Sequence, residues 1–277
     1  MKNRLAKAAK DLGIRMPQAP LLLAQERFLA RLAVVDKEKS LVWKGGSLLL
    51  REYSNLKPPR FTADIDLTAR GLVVKDAEDL IRQAAALVLD DGFSFTGITQ
   101  SSMERDTPYG GERFELAWVF KINKYSEPLR VDLCAGDDVD PRIVTIDEVF
   151  LLDDEALKLT LAVYPPEFIF AEKLETMARF ATGNTRLKDF IDLWSLVRLG
   201  EDRLPRAKCA GAIKRCFRRR KSEMDPKQWT SILRDEEFQD LLEQARIRNF
   251  PKLQLPSVPE MFAEIQGYLR ALLLSDF

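Results

Sequence analysis

Residues 44–67 read KGGSLLLREYSNLKPPRFTADIDL, and this stretch decides the fold that the chain can adopt. It opens on two glycines and a serine: Gly45, Gly46 and Ser47. The apolar SLLLREY that follows predicts a short helix. The prolines of NLKPPRF then predict a loop, because proline is excluded from helix interiors. TADIDLTAR follows as a predicted strand that carries two aspartates, Asp64 and Asp66.

The two aspartates are one residue apart, so in a strand both side chains project from the same face. Ile65 and Leu67 then point into the core. Neighbouring carboxylates repel unless a cation lies between them, and Mg²⁺ prefers such oxygen ligands together with substrate phosphates. The backbone N–H groups of the glycine turn could bind those phosphates. The alternatives are a solvent-exposed D-x-D at a strand end and a simple tight turn.

The composition removes many kinds of mechanism. The chain has 277 residues, 43 Lys and Arg, 43 Asp and Glu, and no histidine. Without histidine there is no Ser-His-Asp triad, no Cys-His pair and no imidazole ligand for zinc. Catalysis must therefore rest on carboxylates, lysines, arginines, hydroxyls or a metal held by oxygen atoms.

The cysteines and the hydropathy indicate the compartment. Cys134, Cys209 and Cys216 are odd in number and widely spaced, which is typical of thiols in a reducing compartment. No apolar run reaches the ~20 residues that span a bilayer, and the N-terminal segment does not resemble a signal peptide. We expect a cytoplasmic protein that does not bind membranes.

Periodicity predicts an α/β arrangement over the first half of the chain. Residues 20–36 and 76–91 show helical spacing. Residues 113–122 alternate, with the polar side chains Arg113, Glu115 and Lys121 on one face, and LRVDLC returns as a second strand of a hairpin. Asp132 lies on the polar face of that second strand, as a ligand for the same cation or as an ordinary surface residue.

The second half is mostly helical. A β-rich LKLTLAVY precedes the predicted helices PPEFIFAEKLETMARF and LKDFIDLWSLVRL, and a final helix is predicted from Ser257. We expect two domains, residues 1–155 and 156–277, with the boundary near residues 150–165.

Four motifs in this order resemble the AbiEii/AbiGii-type nucleotidyltransferase toxins of the DNA polymerase β-like superfamily. They are KGGSLLL, PRFTADIDL, the helix with Lys173, and RLKDFIDLWSL with Asp189 and Asp192. The resemblance covers roughly residues 20–200. It implies an α/β (α+β) fold, in which a mixed-sheet polymerase β-like core is followed by a helical C-terminal domain that completes a cleft.

The resemblance also implies roles for these residues. Asp64, Asp66 and Asp132 would bind Mg²⁺, as two ions, and would be catalytic together with Lys173. The nucleotide would be bound by the glycine turn and by the helical half, through Gly45, Gly46, Ser47, Lys173, Asp189 and Asp192. Arg60 and Thr62 are further candidates for holding a phosphate or an aspartate.

The helical residues also have structural alternatives. Lys173 could be a solvated lysine paired with Glu172 or Glu175, and the aspartates of the next helix could form surface salt bridges with Lys188 or Arg186.

The stretch AIKRCFRRRK at residues 212–221 is the densest positive run of the chain. On a helix its cations form two stripes that could bind a nucleic-acid backbone, through Lys214, Arg215, Arg218 and Arg219. The alternative is a solvated helix that is neutralised by the acidic RDEEFQD at residues 234–240.

These observations lead to one hypothesis. The protein transfers a nucleotide from an NTP to an acceptor hydroxyl, with tRNA or another RNA as the acceptor. It acts as the toxin of a toxin–antitoxin or phage-defence system, and its antitoxin is encoded beside it. The alternatives are an antibiotic-modifying nucleotidyltransferase with a small-molecule acceptor and a silent module that binds nucleotides or RNA.

Overall fold

The computed structural model describes residues 2–11, 14–53, 56, 60–103, 110–120, 123–124, 127–136, 139–146, 159–183 and 186–276. The chain divides into two compact units. The first consists of Met1–Leu50 and Phe61–Tyr164, and the second of Arg51–Arg60 and Pro165–Phe277.

The first unit contains four α-helices and eight strands among the described residues. The helices are α1 (Lys2–Asp11), α2 (Ala19–Val35), α3 (Gly45–Leu48) and α4 (Val74–Ala86), with a 3₁₀ turn at Met16–Gln18. The strands are β1 (Leu41–Lys44), β2 (Asp64–Ala69), β3 (Phe93–Ser102), β4 (Glu112–Phe120), β5 (Asn123–Lys124), β6 (Leu129–Ala135), β7 (Arg142–Ile146) and β8 (Leu159–Val163).

The strands form one mixed sheet in the order β3-β4-β6-β2-β1-β8-β7, and β5 pairs with β4. β2 lies in the interior of the sheet, parallel to β6 and antiparallel to β1. The remaining parallel pair is β1 with β8. This arrangement confirms the mixed sheet that the sequence predicts.

One face of the sheet forms the core of the first unit. Helices α2 and α4 pack against it. Phe28 of α2 meets the ring of Phe95 on β3, and Arg82 of α4 lies over Phe114 on β4. Ile65 and Leu67 of β2 are fully buried. Because side chains alternate along a strand, the polar partners of these residues lie on the opposite face.

The predicted hairpin is confirmed as β4 and β6, and its apolar residues are buried on one face as the alternation predicts. The last predicted residues of its first strand, Lys121 and Ile122, lie outside the described residues.

Helix α4 differs from its prediction at both ends. The sequence predicts residues 76–91, whereas the helix spans Val74–Ala86. Contacts with α2 account for the early end: Arg31 donates to the Leu87 carbonyl at 3.0 Å and forms a fork with the Asp91 carboxylate. The Asp91 carboxylate also accepts from the Phe93 N–H at 3.0 Å. These buried contacts favour an extended segment over a further helical turn.

Among the described residues of the second unit, every regular element is a helix. Its helices are α5 (Pro166–Phe180), α6 (Leu187–Val197), α7 (Arg206–Arg220), α8 (Pro226–Ile232), α9 (Glu236–Asn249) and α10 (Val258–Asp276). A π-helical turn at Leu49–Tyr53 runs on from α3, and Ala181–Gly183 forms a 3₁₀ turn. The predicted capping box is present: Ser257 and Glu260 each bind the other's backbone N–H at the start of α10.

Among the described residues, no helix combines the length and the hydropathy that a bilayer crossing requires.

Candidate active site

The first candidate region lies on the polar face of the sheet, where β2 begins. Asp64 and Asp66 are half-buried and share this face, while Ile65 and Leu67 point into the core. A strand start in the sheet interior therefore holds two carboxylates side by side, as the spacing predicts.

A third carboxylate lies beside them on the next strand. Asp132 of β6 is the register partner of Asp66, and the two strands are parallel neighbours. Neighbouring strands are about 4.8 Å apart, so the side chains of Asp66 and Asp132 leave the sheet side by side on one face. Asp132 is only 8% exposed, which excludes the alternative of an ordinary surface residue.

Gly45 lies directly against Asp66. Its φ is +73°, in the left-handed region that favours glycine, and a Cβ at this position would lie 1.8 Å from Asp66 Oδ2. Any other residue would displace the carboxylate or the turn. The glycine pair therefore does more than close a tight turn, because it lets the backbone approach the aspartate.

Ser47 follows in helix α3 and is buried. Its Oγ accepts a hydrogen bond from Trp43 Nε1 at 2.9 Å. This bond joins the start of α3 to β1, so the Gly45–Gly46 turn is anchored to the central sheet.

The same face carries cations that the site prediction did not include. Arg113 of β4 is the register partner of Asp132 and binds both of its oxygens, at 2.8 and 2.7 Å. Arg130 of β6 donates to Glu115 at 3.1 Å and lies 4.0 Å from Asp64. The alternation of β4 places Arg113 and Glu115 on the polar face, and that is the signal the sequence offers for them.

The arginines lie next to carboxylates that were predicted to share a metal ion. Within the described part of the chain, no group of three histidine, cysteine, aspartate or glutamate side chains is gathered closely enough to hold a metal ion. The predicted convergence of Asp64, Asp66 and Asp132 is therefore incomplete, because Asp132 and Asp64 each face an arginine. The available donors are nonetheless carboxylate oxygens, which suit Mg²⁺.

The second candidate region lies in the second unit, around Lys173 of α5. The Lys173 ammonium lies 2.6 Å from Asp189 Oδ1 and 3.0 Å from Asp192 Oδ2, and both aspartates are on α6. Arg186 Nε lies 3.3 Å from the other oxygen of Asp189. The predicted proximity of the three residues is therefore present, and the side chains of Asp189 and Asp192 are 2% and 5% exposed.

Arg60 completes this network. It binds both oxygens of Asp192, each at 2.9 Å, and it precedes Asp64 in the chain by only four residues. Sequence reasoning named Arg60 as a possible partner for an aspartate without identifying which one. Thr62, named with it, contributes its carbonyl to Gln25 at 3.1 Å.

The structural alternatives for Lys173 are wrong. Glu175 instead binds Arg220 of α7, at 2.7 Å, and Glu172 lies 3.3 Å from the same arginine. The alternative for Asp189 is right in part, since it contacts Arg186, although the aspartate is buried and the pair does not lie on the surface.

The network keeps its groups ionised. Burial alone would lower the pKa of Lys173, but the charges of Asp192 and Asp189 outweigh burial and the pKa lies above its ordinary value. Burial would raise the pKa of Asp189, but Lys173 and then Arg186 hold that pKa below its ordinary value. The second unit therefore contains a fixed lysine cation.

A family model described as "Nucleotidyl transferase AbiEii toxin, Type IV TA system" matches residues 27–270. The chain belongs to the AbiEii family. It is therefore a nucleotidyltransferase, and the family is one of toxins in Type IV toxin–antitoxin systems, which implies a nucleotide substrate and an antitoxin partner. The resemblance stated from the motifs is confirmed.

Solved structures share the fold of this AbiEii-family chain. One is a Helicobacter pylori protein provisionally assigned as a nucleotidyltransferase, with a TM-score of 0.56 and 15% identity, over 90% of this chain and 92% of the other. Another is JHP933 from Helicobacter pylori, with a TM-score of 0.52 and 16% identity, over 90% and 88% of the two chains. A search of curated proteins finds no match.

The predicted basic residues of the AbiEii-family chain lie on helix α7. Lys214, Arg215 and Arg218 are exposed, and Arg219 is half-buried. At 100° per residue these four positions fall within one broad stripe, which also includes Lys208. Arg220 lies on the other face and is held by Glu175. Arg206 lies on the same side of α7 as Arg220 and pairs with Glu201, so the stripe contains five of the seven cations of α7.

Proposed function

We propose that this AbiEii-family protein transfers a nucleoside monophosphate from an NTP to an acceptor hydroxyl, using Mg²⁺ held at the start of β2. The observation that carries the proposal is the register pair Asp66–Asp132 beside Gly45. Two carboxylates next to a turn that only glycine can form suit a bound metal–polyphosphate better than a structural salt bridge does.

The donor atoms fit the metal. Asp66 and Asp132 would hold one ion, and Asp64 would contribute to a second. When bound, such ions neutralise the charge of the triphosphate and of the departing pyrophosphate. The chain has no histidine that would favour zinc instead.

The chain's own residues supply the remaining steps. The acceptor oxygen forms a bond to the α-phosphorus, the bond from that phosphorus to the bridging oxygen breaks, and pyrophosphate leaves. Because the chain has no histidine, Asp132 or the metal itself is the candidate to assist removal of the hydroxyl proton. Since the Ser47 side chain is buried, we assign phosphate contacts in the glycine turn to the backbone N–H groups of Gly46 and Ser47.

The roles of Lys173, Asp189 and Asp192 in nucleotide binding stay predictions. What supports them is a lysine whose charge is secured by two buried aspartates and which belongs to a motif of the family resemblance. A lysine kept charged and oriented in this way suits a phosphate better than a freely solvated one does.

We further propose that the acceptor is RNA, with tRNA as the leading candidate, and that the stripe Lys214, Arg215, Arg218 and Arg219 binds its backbone. The support is the exposure of Lys214, Arg215 and Arg218 on one side of α7 and the density of positive charge there. Growth inhibition by such a transfer would account for a toxin, whether its role is toxin–antitoxin control or phage defence.

The proposal is tested by incubating the purified protein with each α-labelled NTP, Mg²⁺ and total tRNA. We expect label on RNA for the wild type and a loss of at least 1000-fold for Asp66→Asn. Asp79→Asn, an exposed acid on α4, is the matched control and should retain full activity. Absence of transfer to any acceptor would contradict the proposal, and transfer to a small molecule alone would replace the RNA acceptor.

The RNA stripe has a separate test. Arg218→Glu should weaken tRNA binding about fivefold and reduce the salt dependence by about one counterion. Arg248→Glu makes the same charge change at an exposed position of α9. Equal effects of the two variants would indicate a general charge effect and would contradict a specific stripe.

A further inference from the structure

The structure places an arginine where a metal ion would be expected to bind. Arg113 and Asp132 are cross-strand register partners on β4 and β6, and the guanidinium binds both carboxylate oxygens, at 2.8 and 2.7 Å. Charge-assisted forks of this kind are among the stronger side-chain contacts of proteins. Both carboxylate oxygens of Asp132 therefore already accept a hydrogen bond from Arg113.

The pair belongs to a row of charges across four strands. Lys44 on β1 is the register partner of Asp66, which pairs with Asp132, which in turn pairs with Arg113. The two carboxylates thus lie inside the row and the two cations at its ends. Arg113 neutralises the charge of Asp132, as a bound divalent cation would.

We infer that Arg113 competes with the divalent cation for Asp132 and so weakens metal binding to the nucleotide-free protein. The inference rests on the proposed function, because it concerns the same metal site. It makes Arg113 a positioning residue: it holds the Asp132 carboxylate ready on the sheet face and yields it when a metal–nucleotide complex arrives.

The neighbouring arginine shows why the competition is assigned to Asp132. Arg130 donates to Glu115 at 3.1 Å and only approaches Asp64, at 4.0 Å. The distance from Arg130 to Asp64 is therefore longer than a hydrogen bond, whereas Asp132 is held by a fork. Replacing Arg113 should change metal affinity more than any other single arginine substitution on this face.

The test measures Mn²⁺ binding by electron paramagnetic resonance in the absence of nucleotide. We expect Arg113→Gln to bind Mn²⁺ about five- to tenfold more tightly than the wild type. Arg82→Gln removes one positive charge from the same unit without touching Asp132, and it should leave the affinity within about twofold. Unchanged or weaker binding by Arg113→Gln, or an equal gain in Arg82→Gln, would overturn the inference.

A double variant tests whether Asp132 is the carboxylate for which Arg113 competes. In an Asp132→Asn background, which itself binds Mn²⁺ more weakly, Arg113→Gln should give no gain, because the carboxylate for which the arginine and the metal compete is absent. A gain that persists in this background would overturn the inference. Arg113→Lys keeps the charge and loses the fork, so it should tighten binding about twofold, and it serves as the test if Arg113→Gln does not fold.

Failure of the inference can be distinguished from failure of the proposed function. The same titrations are repeated with a non-hydrolysable NTP analogue. If the wild type binds no Mn²⁺ with or without the analogue, the metal-dependent function itself is wrong. If the wild type binds Mn²⁺ with the analogue but Arg113→Gln shows no gain without it, only the role of Arg113 is wrong.

Discussion

The two candidate regions differ in how exposed their ionised side chains are. On the sheet face of the first unit, the side chains of Asp64 and Arg130 are each 38% exposed, and that of Arg113 is 35% exposed although that of its partner Asp132 is only 12% exposed. In the second unit, the side chains of Asp189 and Asp192 are almost fully buried and are neutralised by Lys173, Arg186 and Arg60.

This difference in exposure corresponds to two roles: exchange of cations on the sheet face and a fixed geometry in the Lys173 network. Ion pairs whose cation is partly exposed can exchange that cation for another at lower cost than fully buried pairs can, which a site that binds and releases a metal–nucleotide requires. Buried ion pairs are costly to separate, so they hold one geometry. We therefore expect substitutions on the sheet face to affect chemistry most, and substitutions in the Lys173 network to affect stability most.

The strongest test of this contrast is Lys173→Met. The substitution leaves two buried carboxylates with fewer cations, and we expect the free energy of unfolding to fall by about 3 kcal/mol. The remaining contacts of Arg60 and Arg186 keep the loss near the low end of the range for broken buried pairs. Urea denaturation followed by circular dichroism measures the change.

Lys188→Met is the matched control for Lys173→Met. It makes the same substitution at an exposed position of α6, and its effect on stability should stay within about 0.5 kcal/mol. A loss below about 1 kcal/mol for Lys173→Met would show that the network is not a structural element and would remove one side of the contrast.

Gly45→Ala tests whether the sheet face is the site of the chemistry. The added Cβ must displace Asp66, so we expect transfer to fall about 100-fold and stability to fall by about 1–3 kcal/mol. Gly71→Ala is the control: Gly71 has a similar φ of +68° but open space around the added atom. It carries the backbone strain alone, so activity should be retained. Equal loss of activity in both variants would contradict the close approach.

The sequence allowed much of this framework to be predicted. Alternation located β4 and β6, and the i, i+2 spacing placed Asp64 and Asp66 on one face, because both patterns depend only on local geometry. The burial of Arg31 against Asp91, which accompanies the early end of α4, depends on contacts 60 residues apart and leaves no local pattern.

The pairing of arginines with aspartates could not be predicted from the sequence. Arg113 and Asp132 are 19 residues apart, and Arg60 and Asp192 are 132 apart. Periodicity assigns each residue to a face, but it does not give the strand order or the register that pairs them. Motifs located the carboxylates and Lys173, and only the fold identified Arg113 as the partner of Asp132 and Asp192 as the partner of Arg60.

The pH dependence of stability tests the buried network further. The pKa of Asp189 is lowered from 3.8, so its stabilisation is complete above that value and is lost as pH falls through the lowered pKa. The pKa of Lys173 is raised from 10.5, so its stabilisation is complete below that value and is lost as pH rises through the raised pKa.

The stability deficit of Lys173→Met should therefore be constant between about pH 5 and 9 and shrink at both extremes. Urea midpoints of the wild type and the variant across this range measure it. A deficit that changes in the middle of the range would indicate a different titrating group, and a deficit that stays constant at both extremes would show that the ion pairs do not cause it.

The smallest expected effect is that of Asp66→Asn on stability. A large effect here would contradict the difference between the sheet face and the Lys173 network. The carboxylate lies between its register partners Lys44 and Asp132, so removing its charge loses attraction to the cation and relieves repulsion from the anion, and the two effects offset each other. We expect the free energy of unfolding to change by less than about 1 kcal/mol, even though transfer is lost. Asp189→Asn should instead destabilise the protein by about 2 kcal/mol, because it leaves Lys173 with one buried partner fewer. Thermal unfolding of both variants makes the comparison, and a loss above about 2 kcal/mol for Asp66→Asn would mean that its carboxylate holds the sheet together and is not available to a metal.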